Sequence, residues 1–200
     1  YCHSRDLVYL KENRYPIVTE KINEYLESHR KDLDGIYISG GEPLMHEGVV
    51  SFLQYAKTLN YKIKIHTNGM FYERLKTILL QQLVDHISLD IKNAPSAYAK
   101  TCGVEDMNLK DIEKSLSLLK KSLVPYDICV TLVDELHNEA TIEELGQWIQ
   151  GVDTVILQPF EDSETTIDHS LHRPSFEVVL KYKKIFEKYV KHVKIRGDQA

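Results

Sequence analysis

The sequence predicts an α/β fold on a parallel sheet, and three observations carry that prediction. Short apolar, β-branched runs alternate along the chain with longer amphipathic stretches, the pattern of repeated strand–helix units. No Pro-, Gly- or Ser-rich linker interrupts the alternation, so the 200 residues read as a single domain, 1–200, long enough to bury a sizeable core. Polar and glycine-rich residues collect just after the apolar runs, while the runs themselves stay apolar.

Taken in order, residues 35–39, 62–66, 86–90, 126–132, 154–157 and 192–195 read as strands. Each looks buried on both faces, as in a parallel sheet covered on two sides. Residues 18–30, 48–59, 72–81, 109–121, 142–149 and 175–189 read as helices. Thr19 with Glu20, and Thr141 with Glu143 and Glu144, mark two helix starts. Leu116, Leu119 and Leu123 recur at helical spacing and are assigned to the core. Six strands of this kind fit either an open doubly wound sheet or an incomplete barrel. In both, ligands sit at the carboxyl ends of the strands. The residues that follow each strand therefore carry the functional argument.

Composition removes some classes of function. Lys plus Arg is 25 against 30 Asp plus Glu, a formal net charge of -5, which argues against nucleic acid as a partner. No apolar run approaches the roughly 20 residues that span a bilayer, so no membrane partner is expected. Cys2, Cys102 and Cys129 are widely spaced, form no disulfide framework and point to a reducing, cytoplasmic compartment. Cys129 falls in a strand and Cys102 in a loop, which suits structural roles. The opening Tyr1-Cys2-His3-Ser4-Arg5-Asp6 is not a signal peptide and lacks an initiator Met, so it reads as the start of a fragment or processed product.

The first strand ends in Ser39-Gly40-Gly41-Glu42-Pro43. The two glycines let a backbone approach a ligand, Glu42 can accept from an ammonium group and Pro43 fixes the exit from the turn. The same tetrapeptide also reads as a plain tight turn with an acid at a helix start. The second strand ends in His66-Thr67-Asn68-Gly69, where Asn68-Gly69 is a common turn pair. Asp90 and Lys92 alternate by one residue and so share a side. They can hold the ribose and carboxylate of a zwitterionic ligand, or form an ion pair that closes the end of the sheet. The fifth run ends in Gln158-Pro159-Phe160. His137, His169 and His172 lack zinc-site spacing, and neither a Ser-His-Asp elbow nor a Gly-x-x-x-x-Gly-Lys phosphate loop is present.

The ordered set of these motifs resembles the radical SAM superfamily, and within it the anaerobic ribonucleoside-triphosphate reductase activating proteins and other glycyl-radical enzyme activases. Their Cys-x-x-x-Cys-x-x-Cys run commonly ends in Tyr-Cys-His-Asn followed by an acid and a leucine, and residues 1–8 are similar to that ending. Gly40-Gly41-Glu42-Pro43 is similar to the family's Gly-Gly-Glu-Pro, Thr67-Asn68-Gly69 to its Asp-Thr-Asn-Gly, and residues 84–92 to a strand ending in Asp-Ile-Lys. Tyr98 and Gly103 fall where the family often has a Tyr and a Thr-Gly. The resemblance spans nearly the whole chain.

It implies a partial (β/α)6 TIM-like barrel of radical SAM type, lacking its first strand here. It implies a [4Fe-4S] cluster on three cysteines, with Cys2 as the third and catalytic ligand, and S-adenosylmethionine chelating the open iron. Tyr1 would lie beside the adenine. Gly40, Gly41, Glu42 and Pro43 would surround the methionyl amino group, and His66, Asn68, Asp90 and Lys92 would line the pocket. One electron, from a small-molecule donor or a flavodoxin, would yield a 5′-deoxyadenosyl radical. That radical would take hydrogen from a backbone glycine of a glycyl-radical enzyme such as anaerobic ribonucleoside-triphosphate reductase. Two departures follow. The other two cluster cysteines would precede Tyr1, so the 200 residues alone are expected to be inactive, and His66 stands where the family carries Asp. Two other readings remain open: a radical SAM enzyme acting on a small molecule, similar to 7-carboxy-7-deazaguanine synthase, and a cofactor-free barrel relic serving as a binding module.

Overall fold

The computed structural model describes residues 1–2 and 17–197; residues 3–8 of the opening motif lie outside the described residues. Six strands form one sheet: β1 (Gly35–Ile38), β2 (Lys62–Thr67), β3 (His86–Asp90), β4 (Tyr126–Leu132), β5 (Thr154–Pro159) and β6 (His192–Ile195). They lie in chain order, every neighbouring pair is parallel, and among the described residues β1 and β6 are the two edges. This is the expected α/β architecture, a parallel sheet that is not closed among the described residues, as in a partial barrel. The strand limits agree closely with the sequence reading, except that β5 continues to Pro159.

The helices are α1 (Thr19–Ser28), α2 (Val49–Thr58), α3 (Tyr72–Leu80), α4 (Tyr98–Cys102), α5 (Lys110–Lys120), α6 (Glu139–Trp148) and α7 (Phe176–Phe186). Four details differ from the sequence reading. Cys102 is the last residue of α4, a single turn too short to show a period, rather than a loop residue. Helix α6 starts three residues earlier than expected, because the Asn138 side chain accepts from the Thr141 N–H at 3.0 Å. The Thr141 hydroxyl in turn accepts from the Asn138 N–H at 3.1 Å, so Thr141 is the inner member of a capping box and not the cap. No side chain caps α1, although Thr19 is its first residue. Leu116 and Leu119 are core, but Leu123 lies past the end of α5 and is fully exposed.

The sheet is not apolar on both faces. Ile36, Ile38, Ile63, Ile65, Ile87, Leu89, Ile128, Val130, Leu132, Val155, Leu157, Val193 and Ile195 pack into one core with Leu53, Leu75, Ile78, Leu116, Ile142 and Phe186 from the helices. The alternate residues of the same strands form an inner face turned away from that core. They are Tyr37, Lys64, His66, His86, Ser88, Asp90, Asp127, Cys129, Ile156, Gln158 and Lys194, and none belongs to the core. The strands read as uniformly buried because the polar inner residues shield one another: Asp127 and Ser88 are 5% and 0% exposed.

Candidate active site at the strand ends

Two strand-end turns are tied together by one carboxylate. Glu42 caps the 3-10 turn Pro43–Met45 by accepting from the Leu44 N–H at 2.9 Å. It also accepts from the Thr67 hydroxyl at 2.8 Å and from the Asn68 N–H at 2.7 Å. Both oxygens are therefore occupied by protein donors, so Glu42 braces the turn after β1 against the turn after β2. Burial raises its carboxyl pKa, the three donors pull it down, and the net direction is upward. Pro43 is buried behind this brace. The Asn68 carbonyl oxygen accepts from the Met70 N–H at 3.0 Å, which leaves its amide NH2 to donate. The Ser115 hydroxyl of α5 donates to the Gly69 carbonyl at 2.7 Å and fixes the far side of the turn.

The glycines here have different causes. Gly69 has φ +77°, and an added Cβ would meet the Leu89 side chain at 2.7 Å, so packing and conformation both require it. Gly40 has φ +135° with open space beside it. Gly41 has no positive φ and a Cβ there would meet nothing within 4 Å. Nothing within the chain demands a glycine at position 41; a group lying against the backbone of this turn would.

Across the inner face, Asp90 and Lys92 form an ion pair with side chains 18% and 29% exposed. Burial is the largest single influence and disfavours the Lys92 ammonium, but the charge and hydrogen bond of Asp90 together with Tyr1 and Tyr98 outweigh it, and the pKa of Lys92 is raised. The Lys92 Nζ sits 5.4 Å from the centroid of the Tyr1 ring, and the edge of that ring meets Phe160 at a 6.4 Å centroid separation. Cys2 follows on the exposed side, and its carbonyl accepts from the Ile167 N–H at 3.0 Å. Tyr1, Cys2, Gly40–Glu42, Asn68, Asp90 and Lys92 are thus all at the carboxyl pole of the sheet. His66 lies one step down the inner face, where the Tyr37 hydroxyl and its Nδ1 are 2.8 Å apart. Burial lowers the His66 pKa, and Lys92 and Arg196 add to the effect against Asp90 and Asp127.

Three participants were named in the sequence but not assigned to the site. Thr67 completes the Glu42 brace. Phe160 supplies an apolar wall. His137 is buried between Val133 and the Lys92 carbonyl, with its Nε2 3.0 Å from that oxygen. Only Thr67 and Phe160 had a signal, as the residues that end β2 and follow β5; His137 is joined to Lys92 across 45 positions that no local pattern connects.

The [4Fe-4S] cluster that the motif resemblance implies would need three thiolates, with one iron left open to the cofactor. Cys129 is buried, its thiol donates to Asp127 Oδ1 at 3.4 Å, and burial pushes its pKa up to about 12. Cys102 ends α4, where burial raises its thiol pKa and the charges of Lys92 and Asp90 act in opposite directions. Among the described residues no group of three or more His, Cys, Asp or Glu side chains is placed to hold a metal ion. The residues described do not fit the cluster by themselves. They do fit a zwitterionic ligand, through an open glycine turn, an acid–base pair and an apolar wall.

The family model of the radical SAM superfamily matches residues 1–149. The chain belongs to the radical SAM superfamily. A Methanocaldococcus jannaschii protein named as a glycyl-radical enzyme activating enzyme is 28% identical over 202 residues, which cover 98% of this chain and 82% of that protein. In structure, a domain of pyruvate-formate lyase-activating enzyme from Bacteroides vulgatus aligns with a TM-score of 0.64 at 20% identity, over 82% of this chain and 99% of that one. SuiB of Streptococcus suis, solved with S-adenosylmethionine, aligns at a TM-score of 0.71 and 13% identity, over 94% of this chain and 45% of its own. At such identities the structural likeness establishes the fold, and this chain shares the radical SAM fold. Among the described residues no helix is long and apolar enough to cross a membrane.

Proposed function

We propose that this chain is the core of a glycyl-radical enzyme activase, which binds S-adenosylmethionine at the carboxyl pole of the inner face. The observation that supports this best is the likeness to the glycyl-radical enzyme activating relative, which runs through 98% of the chain. The backbone of Gly40 and Gly41, held by the Glu42 brace, receives the methionyl ammonium. Lys92 holds the methionyl carboxylate and Asp90 the ribose hydroxyls, the two groups being held side by side by their ion pair. The amide NH2 of Asn68 donates into the same pocket, and His66 closes its lower side. Tyr1 and Phe160 exclude water on the adenine side. When bound and reduced by one electron, S-adenosylmethionine supplies a carbon radical able to abstract a hydrogen atom.

Cys2 is then one of the cluster thiolates. The hydrogen donor is a backbone glycine of a glycyl-radical enzyme, such as anaerobic ribonucleoside-triphosphate reductase. The electron donor is a flavodoxin or a small reductant, and the compartment is the cytoplasm. The test is electron paramagnetic resonance on the full-length gene product, reconstituted anaerobically with iron and sulfide and mixed with S-adenosylmethionine, a reductant and the candidate partner. A glycyl doublet on the partner, absent with Cys2→Ala, is the expected result. Consumption of S-adenosylmethionine with product appearing only on a small molecule would replace the activase by the small-molecule reading. No binding of S-adenosylmethionine would leave the binding-module reading.

A further inference from the structure

We propose that the inner face carries, beside the cofactor pocket, a subsite for an anionic group of the substrate, a carboxylate or a phosphate, built by Arg196, Lys194 and Gln158. This inference rests on the inner face being the substrate side, and it adds the chemical class of what is held there.

The register places the three residues together. Lys194 pairs with Ile156 across β5 and β6, and neither belongs to the core. Arg196 continues the same row two residues on, its N–H bonded to the Leu157 carbonyl at 2.8 Å. Its guanidinium donates to Gln158 Oε1 at 2.7 Å, which confirms that the two side chains share a face. Gln158 lies opposite Thr131 of β4, so the row continues into the sheet.

The charges there are not compensated. The chain carries five more acids than bases in formal charge (-5), and the cations nearest β6 and on the neighbouring helices are paired. Lys191, just before β6, pairs with Asp153, and Lys181 and Lys188 pair with Glu139 and Glu143. The inner-face acids are already engaged, Asp127 with Lys64 and His86, and Asp90 with Lys92. Among the described residues no carboxylate forms an ion pair with Lys194 or Arg196, and the side-chain hydrogen bond of Arg196 goes to Gln158. The Gln158 amide orients the guanidinium without neutralising it, and its NH2 remains free to donate.

The bond to Gln158 draws the exposed arginine over the inner face, and its charge reaches His66 of β2 and Cys129 of β4, favouring a lower pKa at each. A planar guanidinium with a second cation two residues away and an amide donor beside it suits bidentate capture of a carboxylate or phosphate. The cofactor's own carboxylate has Lys92 at the end of β3, three strands away in the sheet order. The anion at β6 is therefore a different group. For an activase it is an acidic side chain near the target glycine; for a small-molecule enzyme it is a phosphate or carboxylate of the metabolite.

The test measures equilibrium binding to the anaerobically reconstituted full-length protein and its Arg196→Gln and Arg196→Lys variants. The probes are S-adenosylmethionine, inorganic phosphate, and two ten-residue peptides with a central glycine flanked by Glu in one and by Gln in the other. The expected result is that at least one anionic probe binds the parent and loses tenfold or more affinity in Arg196→Gln. Arg196→Lys should recover part of it, and S-adenosylmethionine should bind all three proteins within twofold. Preference for the Glu peptide over the Gln peptide assigns the anion to a protein substrate, and binding of phosphate alone assigns it to a small molecule. The proposal is overturned if no anionic probe binds the parent, if Arg196→Gln binds them equally, or if Arg196→Gln weakens S-adenosylmethionine itself, which would put the arginine in the cofactor pocket. Failure of the parent to bind S-adenosylmethionine counts against the activase reading and leaves the anion result to be judged separately.

Discussion

The two faces of this sheet are made from alternate residues of the same strands, yet they obey different rules. The outer face is a dry layer of Ile, Val and Leu under helices, and its energy comes from apolar area removed from water. The inner face is equally crowded in its middle but polar, and it holds together only because its charges find each other: Lys64 and His86 on Asp127, Lys92 on Asp90, Tyr37 on His66. The outer face depends on volume and tolerates a change of shape better than a void. The inner face depends on pairing and tolerates neither an orphaned charge nor a lost acceptor.

Each substitution below is chosen to break or sharpen that contrast. The largest effect belongs to the outer face. Leu89→Ala opens a void at a residue that is 0% exposed and should cost about 2–5 kcal/mol in denaturant unfolding, with ligand affinities changing only through stability. Asp127→Asn keeps the volume but offers a neutral group to Lys64 and His86; a loss of about 1–3 kcal/mol is expected, and a loss below about 0.5 would show that the inner charges are solvated after all. Glu42→Gln keeps one acceptor oxygen of two, so one side of the brace is lost. About 1 kcal/mol of stability should go, together with a larger share of S-adenosylmethionine affinity, because the glycine turn is no longer held.

The smallest effect is a control at the amino end of the sheet. Asp85 is buried in part, which raises its pKa, but bonds from Lys57, the Ile63 N–H and Lys62 bring it down to about 2. A depressed folded-state value means the stabilisation is present above the ordinary carboxylate range and is lost as pH falls from about 4 towards 2. Asp85→Asn should therefore flatten the acid limb of the stability curve by about 1 kcal/mol or less after solvent screening, with no effect on ligand binding at pH 7.

The outer face is what the sequence makes legible. β-Branched runs such as Ile63 and Ile65, or Ile128 and Val130, announce strands because burial against helices demands them. The motif residues at the strand ends were legible for a related reason: a glycine turn or an Asp-Ile-Lys strand end is a local pattern. The inner face was not. Lys64, Asp127 and His86 come from three strands, and their pairing depends on register, which periodicity alone does not supply. The same limit hid the partners of the motifs. Glu42 looked like an open acceptor, but its donors lie 25 and 26 residues away across the first crossover. Helix α4 escaped because a single turn contains too few residues to show a period.

The central claim is that the carboxyl pole of the inner face is the S-adenosylmethionine site. Calorimetric titration of S-adenosylmethionine into the anaerobically reconstituted full-length protein, beside its Asp90→Asn and Lys92→Met variants, tests this most directly. The account predicts affinity at least tenfold weaker in both variants while their unfolding midpoints in denaturant stay close to the parent's. Unchanged affinity in both variants, with the fold intact, would contradict it.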